Sequence, residues 1–255
     1  MTALEFARRI RGRQQAIGYW VVLDDLIATE RLARLGYDYI TLDAQHGLLG
    51  YEGIRNGILA VDAGNQTAAV VRVEQNDPFA IGRVLDAGAT GVIVPLVDDA
   101  QDAERAVAAT RYPPRGRRSY GPMRSQLRVG PTPAEADESV VCLAMIETPE
   151  GLKNVEEICS VEGLDGVYVG PSDLRLAVGG RTSTDPAVDD VFEDAVSHIA
   201  EVARTTGVAA GIHNPDGATA ARRLAQGYTF ATVASDLVHL QQAAASHLEA
   251  ARRST

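Results

Sequence analysis

The chain has 255 residues, 45% of them hydrophobic and 23% charged, a globular composition long enough to bury a sizeable core as one domain over residues 1–255. A formal net charge of -10 argues against a general nucleic-acid binder, which would carry a basic stripe. No signal peptide and no apolar run of membrane-spanning length is visible, and two cysteines, Cys142 and Cys159, build neither a disulfide framework nor a CxxC metal site, so the expected compartment is the cytoplasm, with no membrane partner.

Short apolar runs recur along the chain at 17–23, 39–42, 68–73, 91–97, 140–146, 166–169, 208–212 and 229–234. Each has the length and composition of a buried strand. Amphipathic segments separate most of them, at 26–35, 51–63, 78–87, 100–110 and 190–205. Alternation of strand and helix means parallel strands joined by crossovers. Eight such units predict a (β/α)8 TIM barrel, with a doubly wound open sheet as the competing layout. Two stretches break the rhythm. Residues 112–137 are rich in Pro, Gly and Arg with no clear period, and 179–186 form a polar loop after the sixth strand. Loops of that kind are expected to border a site.

In a barrel the loops after the strands form one mouth, where catalytic groups gather. Strand 2 ends in Asp43, Gln45 and His46, strand 3 in Arg72 and Glu74, and strand 5 in Glu147. Strands 6, 7 and 8 end in Gly170-Pro171-Ser172-Asp173, in His213-Asn214, and in Ser235-Asp236. Glu147 closes the run VVCLAMIE with no Lys or Arg in that stretch, and Glu is a poor N-cap. A divalent cation would relieve the repulsion between Glu147 and Asp173 on neighbouring strands. Two carboxylates, waters and a chelating substrate suit Mg²⁺, Mn²⁺ or Co²⁺. Asp173 also has a plain reading as a helix cap, as does Asp236, for which the cap is favoured. Asp43, three residues before His46, could fix its imidazole tautomer. Arg72, ending the strand AAVVRV, needs an anion: a neighbouring carboxylate, or the carboxylate or developing oxyanion of a substrate. The backbone amides of Ser172 and Asp173, at the start of a helix, would also suit a carboxylate.

The stretches YDYITLDAQHG, VVRVEQNDP, VLDAGATGVIVPLVDDAQDAERAVAATRYPPRGRRSYG, AMIETPEGLKNVEEICSVEGLDGVYVGPSDL and GYTFATVASD, in this order and spacing, resemble the metal-dependent class II pyruvate aldolases of the HpcH/HpaI family, 4-hydroxy-2-oxoheptanedioate aldolase among them. The resemblance implies a lyase that reversibly cleaves 4-hydroxy-2-oxo acids to pyruvate, or a hydroxypyruvate-like 2-oxo acid, and an aldehyde. It implies Glu147 and Asp173 as metal ligands, His46 and its partner Asp43 as catalytic, and Arg72 as the group that stabilises the enolate. Gly170, Pro171, Ser172, Asp173 and Arg72 are the implied substrate contacts. Asp86, otherwise a helix-end residue, is implied to raise the basicity of His46 across a subunit boundary. A homo-hexamer, a trimer of dimers with the last helix (237–251) packed on a neighbour, follows from the same resemblance. Two positions depart from the family pattern: Gln45, where many members have Glu, and Met145, where many have Gln.

Three alternatives stand beside this reading. A citrate lyase β-subunit-like or malyl-CoA lyase-like enzyme shares the Arg, Glu and Asp. A Schiff-base aldolase needs a lysine inside the barrel, and Lys153, the one lysine of the chain, falls in the helical stretch after strand 5. A barrel serving as a non-catalytic scaffold has no reason to hold a metal between those carboxylates.

Overall fold

A computed structural model describes residues 1–64 and 66–253. Asn65 and the last two residues of the expected 1–255 domain lie outside that description. Eight strands form the sheet: β1 (Ala16–Val21), β2 (Tyr39–Asp43), β3 (Ala68–Arg72), β4 (Gly91–Val94), β5 (Val141–Ile146), β6 (Gly166–Val169), β7 (Ala209–Asn214) and β8 (Phe230–Ser235). Every neighbouring pair is parallel, and β8 returns to β1, so the sheet closes into a barrel in chain order. All residues of β2 to β6 are buried, as strands covered on both faces must be. This explains why they read as continuous apolar runs rather than as alternation. The architecture is a (β/α)8 barrel, as the alternation of elements predicts.

The apolar side chains fall into two layers. The larger lies between strands and surrounding helices and includes Ile40, Leu42, Val71, Val94, Ile146 and Ile199; the free cysteines Cys142 and Cys159 belong to it. The second fills the barrel interior, with Val70, Ile93, Leu143 and Met145 among a column of aromatic rings. Phe6 meets Tyr39 at 5.7 Å between centroids, Tyr39 meets Phe230 at 6.1 Å, Phe230 meets Tyr168 at 5.8 Å, and Tyr168 stacks on Trp20 at 5.8 Å. Two glycines make room for these rings. A Cβ on Gly18 would lie 2.3 Å from the Tyr39 ring, and one on Gly211 would lie 2.2 Å from Phe230.

The floor of the column is an element absent from the apolar-run reading, the helix Ala3–Arg11. Thr2 and Glu5 form a reciprocal capping box at its start, and Ala3, Phe6, Ala7 and Ile10 supply one buried face. That face closes the N-terminal end of the barrel. The stretch 112–137 also differs from the expectation of an unstructured loop. It holds a short helix, Ser125–Arg128, and leads into Pro133–Ser139, whose capping box of Thr132 and Glu135 precedes Pro at its first position. Arginines anchor it: Arg118 to Asp86, and Arg124 to Asp62 and the Ala87 carbonyl. Those acceptors sit near the C-terminal ends of the helices Tyr51–Gly64 and Pro78–Asp86, which run back toward the floor. Residues 112–137 therefore pack away from the mouth of their own barrel. Among the described residues, no helix is long and apolar enough to cross a membrane.

Candidate active site

The β2–β3 ladder brings the first pair together. Asp43 and Arg72 are Cα partners at its end. Both are buried, and the guanidinium meets the carboxylate at two points, Nε to Oδ1 at 2.9 Å and Nη2 to Oδ2 at 2.5 Å. Asp43 also accepts from Trp20 Nε1 at 3.1 Å and from the backbone N–H groups of Gln45 at 3.1 Å and His46 at 3.2 Å. Burial alone would raise the Asp43 carboxyl, but the hydrogen bonds and charge of Arg72, with those of His46 N–H and Trp20, outweigh it and hold the pKa below the ordinary value. Asp43 thus reaches His46 through its main chain, not its ring. It shapes the turn that carries His46 and fixes Arg72, whose guanidinium also lies over the Trp20 ring at 5.1 Å. His46 itself is exposed at the mouth.

Glu147 follows β5 and is 2% exposed. Its Oε1 accepts from Leu96 N at 2.9 Å, while Oε2 is buried without a hydrogen-bond partner. Burial first, then the charges of Asp173 and Asp43, push its pKa up to about 7 against the pull of Leu96 N–H and Arg72. The donor residue is itself unusual. Leu96 is an exposed leucine with φ of 53°, a left-handed conformation that costs a non-glycine residue energy and clusters at functional sites. Gly170 completes the enclosure, for a Cβ there would lie 2.4 Å from Glu147 Oε2.

Asp173 lies in the first turn of the helix Pro171–Ala177, yet the N-cap is Gly170 and no side chain caps that helix. With the described residues the Asp173 side chain makes no hydrogen bond or close ion pair, so the cap reading gives way to a carboxylate open to a ligand. Asp236 departs from its expected cap role in another way. It accepts from Leu237 N at 2.9 Å, but also from Val22 N at 3.0 Å and Leu23 N at 3.1 Å, tying the loop after β1 to the last helix, Asp236–Arg253.

A cavity of about 220 Å³ opens at this end of the barrel. His46, Arg72, Gly170, Pro171, Ser172 and Asp173 line it together with Met145, Trp20 and His213. Asp86 is not among these groups. It ends the helix Pro78–Asp86 at the opposite end of the barrel, where it pairs with the buried Arg118 at 2.8 Å, and burial raises its pKa against that pairing. Lys153 is exposed and lies 3.6 Å from Glu150 on the outer helix Pro149–Lys153, far from the inward position a Schiff base needs.

His213 carries a part in the cavity that strand-end reading left unassigned. Its Nδ1 lies 2.9 Å from Thr232 Oγ1, which in turn lies 2.5 Å from the Tyr168 hydroxyl. Burial, then the charge of Arg72, push its pKa down to about 4 against the opposing charge of Asp43, so the ring is neutral at pH 7. The signal in sequence was its place at the end of strand 7; the partners that fix it come from two other strands.

Among the described residues, no group of three or more His, Cys, Asp or Glu side chains could hold a metal ion unaided. The two carboxylates still suit a hard cation in their donor chemistry: a buried, unpartnered Glu147 oxygen with raised pKa beside an unpaired Asp173.

Comparison with known proteins identifies the family. Residues 16–243 match the model of the HpcH/HpaI aldolase/citrate lyase family. The chain is 40% identical over 238 residues to a hydroxypyruvate/pyruvate aldolase of Rhizorhabdus wittichii, covering 93% of this chain and 94% of that protein. It is 38% identical to a 5-keto-4-deoxy-D-glucarate aldolase of Klebsiella pneumoniae subsp. pneumoniae, with 91% of each covered. The crystal structure of an HpcH/HpaI aldolase/citrate lyase family protein from Burkholderia cenocepacia superposes with a TM-score of 0.86 at 29% identity, over 98% of this chain and 100% of that one.

Proposed function

This chain belongs to the HpcH/HpaI aldolase/citrate lyase family and is a carbon–carbon lyase of the aldolase type, and from that premise we propose that it cleaves 4-hydroxy-2-oxo acids reversibly to pyruvate, or hydroxypyruvate, and an aldehyde, with a divalent cation as cofactor. The observation that carries the metal reading is the buried Glu147 Oε2, which lacks a hydrogen-bond partner and lies against Gly170. An unpaired carboxylate oxygen at that depth is costly unless protonated or bound to a cation. Glu147 and Asp173 would hold Mg²⁺, Mn²⁺ or Co²⁺, and the remaining positions would be left to water and substrate. Once bound, the cation supplies Lewis acidity toward the 2-oxo acid.

The chain's own residues do the rest. Arg72, held flat by Asp43 and Trp20, presents positive charge where the 2-oxo oxygen becomes negative. Its geometry is set before substrate arrives, so no reorganisation is needed during the reaction. His46, at the open side of the cavity, moves the protons. In cleavage it takes the proton of the 4-hydroxyl, the C3–C4 bond breaks, and its electron pair passes toward C3 and the 2-oxo oxygen. A proton returned to C3 then gives the methyl group of pyruvate. Gly170, Pro171 and Ser172 contact the 2-oxo acid along the wall that carries Asp173.

Assembly belongs to the same proposal. The helix Asp236–Arg253 has no buried residue, although it presents Leu237, Val238, Leu240 and Leu248. A neighbouring subunit in a hexamer would cover that face, and Asp86 of one subunit would reach His46 of another. The test of the activity is direct: release of pyruvate from 4-hydroxy-2-oxo acids, lost on chelation and restored by a divalent cation. Full activity after exhaustive chelation refutes the metal reading.

A further inference from the structure

Among the described residues, the His46 ring meets no hydrogen-bond partner; only its main-chain N–H is engaged, by Asp43 at 3.2 Å. Asp43 commits the rest of its carboxylate to Arg72, Trp20 and the N–H of Gln45. A histidine base needs a group on its second ring nitrogen to fix tautomer and direction, and its own barrel supplies none. The opposite end of the barrel shows the complementary lack. Asp86 Oδ1 accepts from Arg118 Nη2 at 2.8 Å, while no described donor meets Oδ2. The Asp86 side chain is 28% exposed, and Oδ2 is not sealed in.

Arg118 holds Asp86 in a way that a plain structural pair would not need. Its side chain is 1% exposed, and its guanidinium lies over the Tyr112 ring at 4.7 Å. Its Nε and Nη1 are buried without a partner. Unpaired buried donors cost free energy, and a two-point grip on Asp86, like that of Arg72 on Asp43, would satisfy one of them. It would also consume Oδ2. The one-point grip leaves that oxygen open, yet keeps a cation beside a carboxylate that needs one: Asp86 ends the helix Pro78–Asp86, where the helix dipole disfavours an anion. Gly121 clears the approach, for a Cβ there would lie 2.9 Å from Oδ2. Tyr120, Met123 and Leu127, on the same segment, are exposed apolar side chains that a second copy of the chain would cover.

We propose that Arg118 is the positioning residue of the shared site: it holds Asp86 of its own subunit by Oδ1, so that Oδ2, in the gap left by Gly121, meets the imidazole of His46 on the neighbouring subunit. The inference rests on the proposed sharing of sites between subunits and names the residues that aim the shared carboxylate. Residues 112–137, which pack away from the mouth of their own barrel, thereby act at the mouth of the next.

Exchange of pyruvate methyl protons into solvent, followed with Mg²⁺ present, reads the base without an aldehyde. It is measured in wild type, Arg118→Met, Arg118→Lys, Gly121→Ala and Asp86→Asn, and in Asp86→Asn combined with Arg118→Met or Gly121→Ala, with assembly checked by sedimentation. Arg118→Met and Gly121→Ala should each lower kcat for exchange about 10–100-fold, with little change in KM for pyruvate. Arg118→Lys should recover most of the rate, and neither change should slow Asp86→Asn further. Gly121→Ala leaves the ion pair in place, so it carries the test if Arg118→Met does not fold. A wild-type rate in folded Arg118→Met or in Gly121→Ala, a loss that adds fully to that of Asp86→Asn, or a loss explained by failed assembly overturns the role of Arg118 and leaves the sharing of sites standing. Wild-type exchange in Asp86→Asn overturns the sharing and this role with it, and absence of exchange in the wild type overturns the aldolase reading.

Discussion

Asp43 and Arg72 face each other across one rung of the β2–β3 ladder and are joined by two hydrogen bonds, so the cation of the site and its counter-charge are placed by strand register alone. Because both are buried, removal of one partner strands the other. Asp43→Ala should destabilise the protein by about 3–5 kcal/mol, seen as a fall in Tm of roughly 10 °C. An unchanged melting curve would show that water replaces the carboxylate at no cost.

Arg72 and His46 should separate kinetically. If Arg72 answers charge that appears only during reaction, its truncation lowers kcat by about 10²–10³-fold with little change in KM. His46→Ala should lose roughly 10²–10⁴-fold and slow methyl-proton exchange in pyruvate, with cation affinity preserved. Exchange at the wild-type rate in both variants would assign both residues to structure.

Chelation provides a third check. Mn²⁺ titration of the apoprotein should reveal a site that Glu147→Ala and Asp173→Ala each abolish, with circular dichroism unaltered. Retention of that affinity in either variant would move the metal elsewhere.

The pH dependence of stability should carry a mark of His213. Its pKa, pushed down to about 4 from the ordinary 6.5, means the folded state binds this proton more weakly than the unfolded chain. Stability from this group is therefore complete above about 6.5 and is lost as pH falls toward 4. His213→Phe, which cannot be protonated, should lose less stability than wild type between pH 6.5 and 4 in urea titrations. Parallel pH profiles would mean that the ring is solvated in both states.

Asp86 offers a test of shared sites. Asp86→Asn weakens the hold on the buried Arg118, but burial already raises the Asp86 pKa against that pairing, so a small change in stability is expected whatever its part in catalysis. Its catalytic part shows in mixtures. Inactive Asp86→Asn and His46→Ala proteins, dissociated and reassembled together, should regain activity through sites that draw one wild-type residue from each subunit. No recovery in mixed assemblies would confine each site to one chain.

Much of this was legible in the sequence because barrel strands are buried on both faces and their ends converge on one mouth. The apolar runs marked all eight strands to within a few residues, and listing what each strand ends in brought together Asp43, His46, Arg72, Glu147 and Asp173. What stayed hidden depends on contacts across the chain. The helix Ala3–Arg11 breaks up its apolar residues with Glu5, Arg8, Arg9 and Arg11, so it forms no apolar run, and its role as a floor exists only once Phe6 meets Tyr39. Residues 112–137 lack a period because arginine pairs to Asp62 and Asp86, not an apolar stripe, hold them. His213 is set by Thr232 and Tyr168, from 19 residues away and from another strand again. Asp43 sits beside His46 in sequence, which suggested a partner for the ring; the register turned its carboxylate toward Arg72.

The hydrogen bond that Glu147 receives comes from the main chain of residue 96, held in a left-handed turn. A main-chain donor belongs to every amino acid except proline, so the alphabet at this position is nearly open, and what is handed down is a torsion angle rather than a letter. Drift through this position is shaped by conformational ease. Glycine and asparagine fit the turn better than leucine does, and β-branched residues fit it worse. A saturation library at residue 96, selected for activity, should return nearly every substitution, ranked by tolerance of positive φ and indifferent to polarity or size, with proline missing.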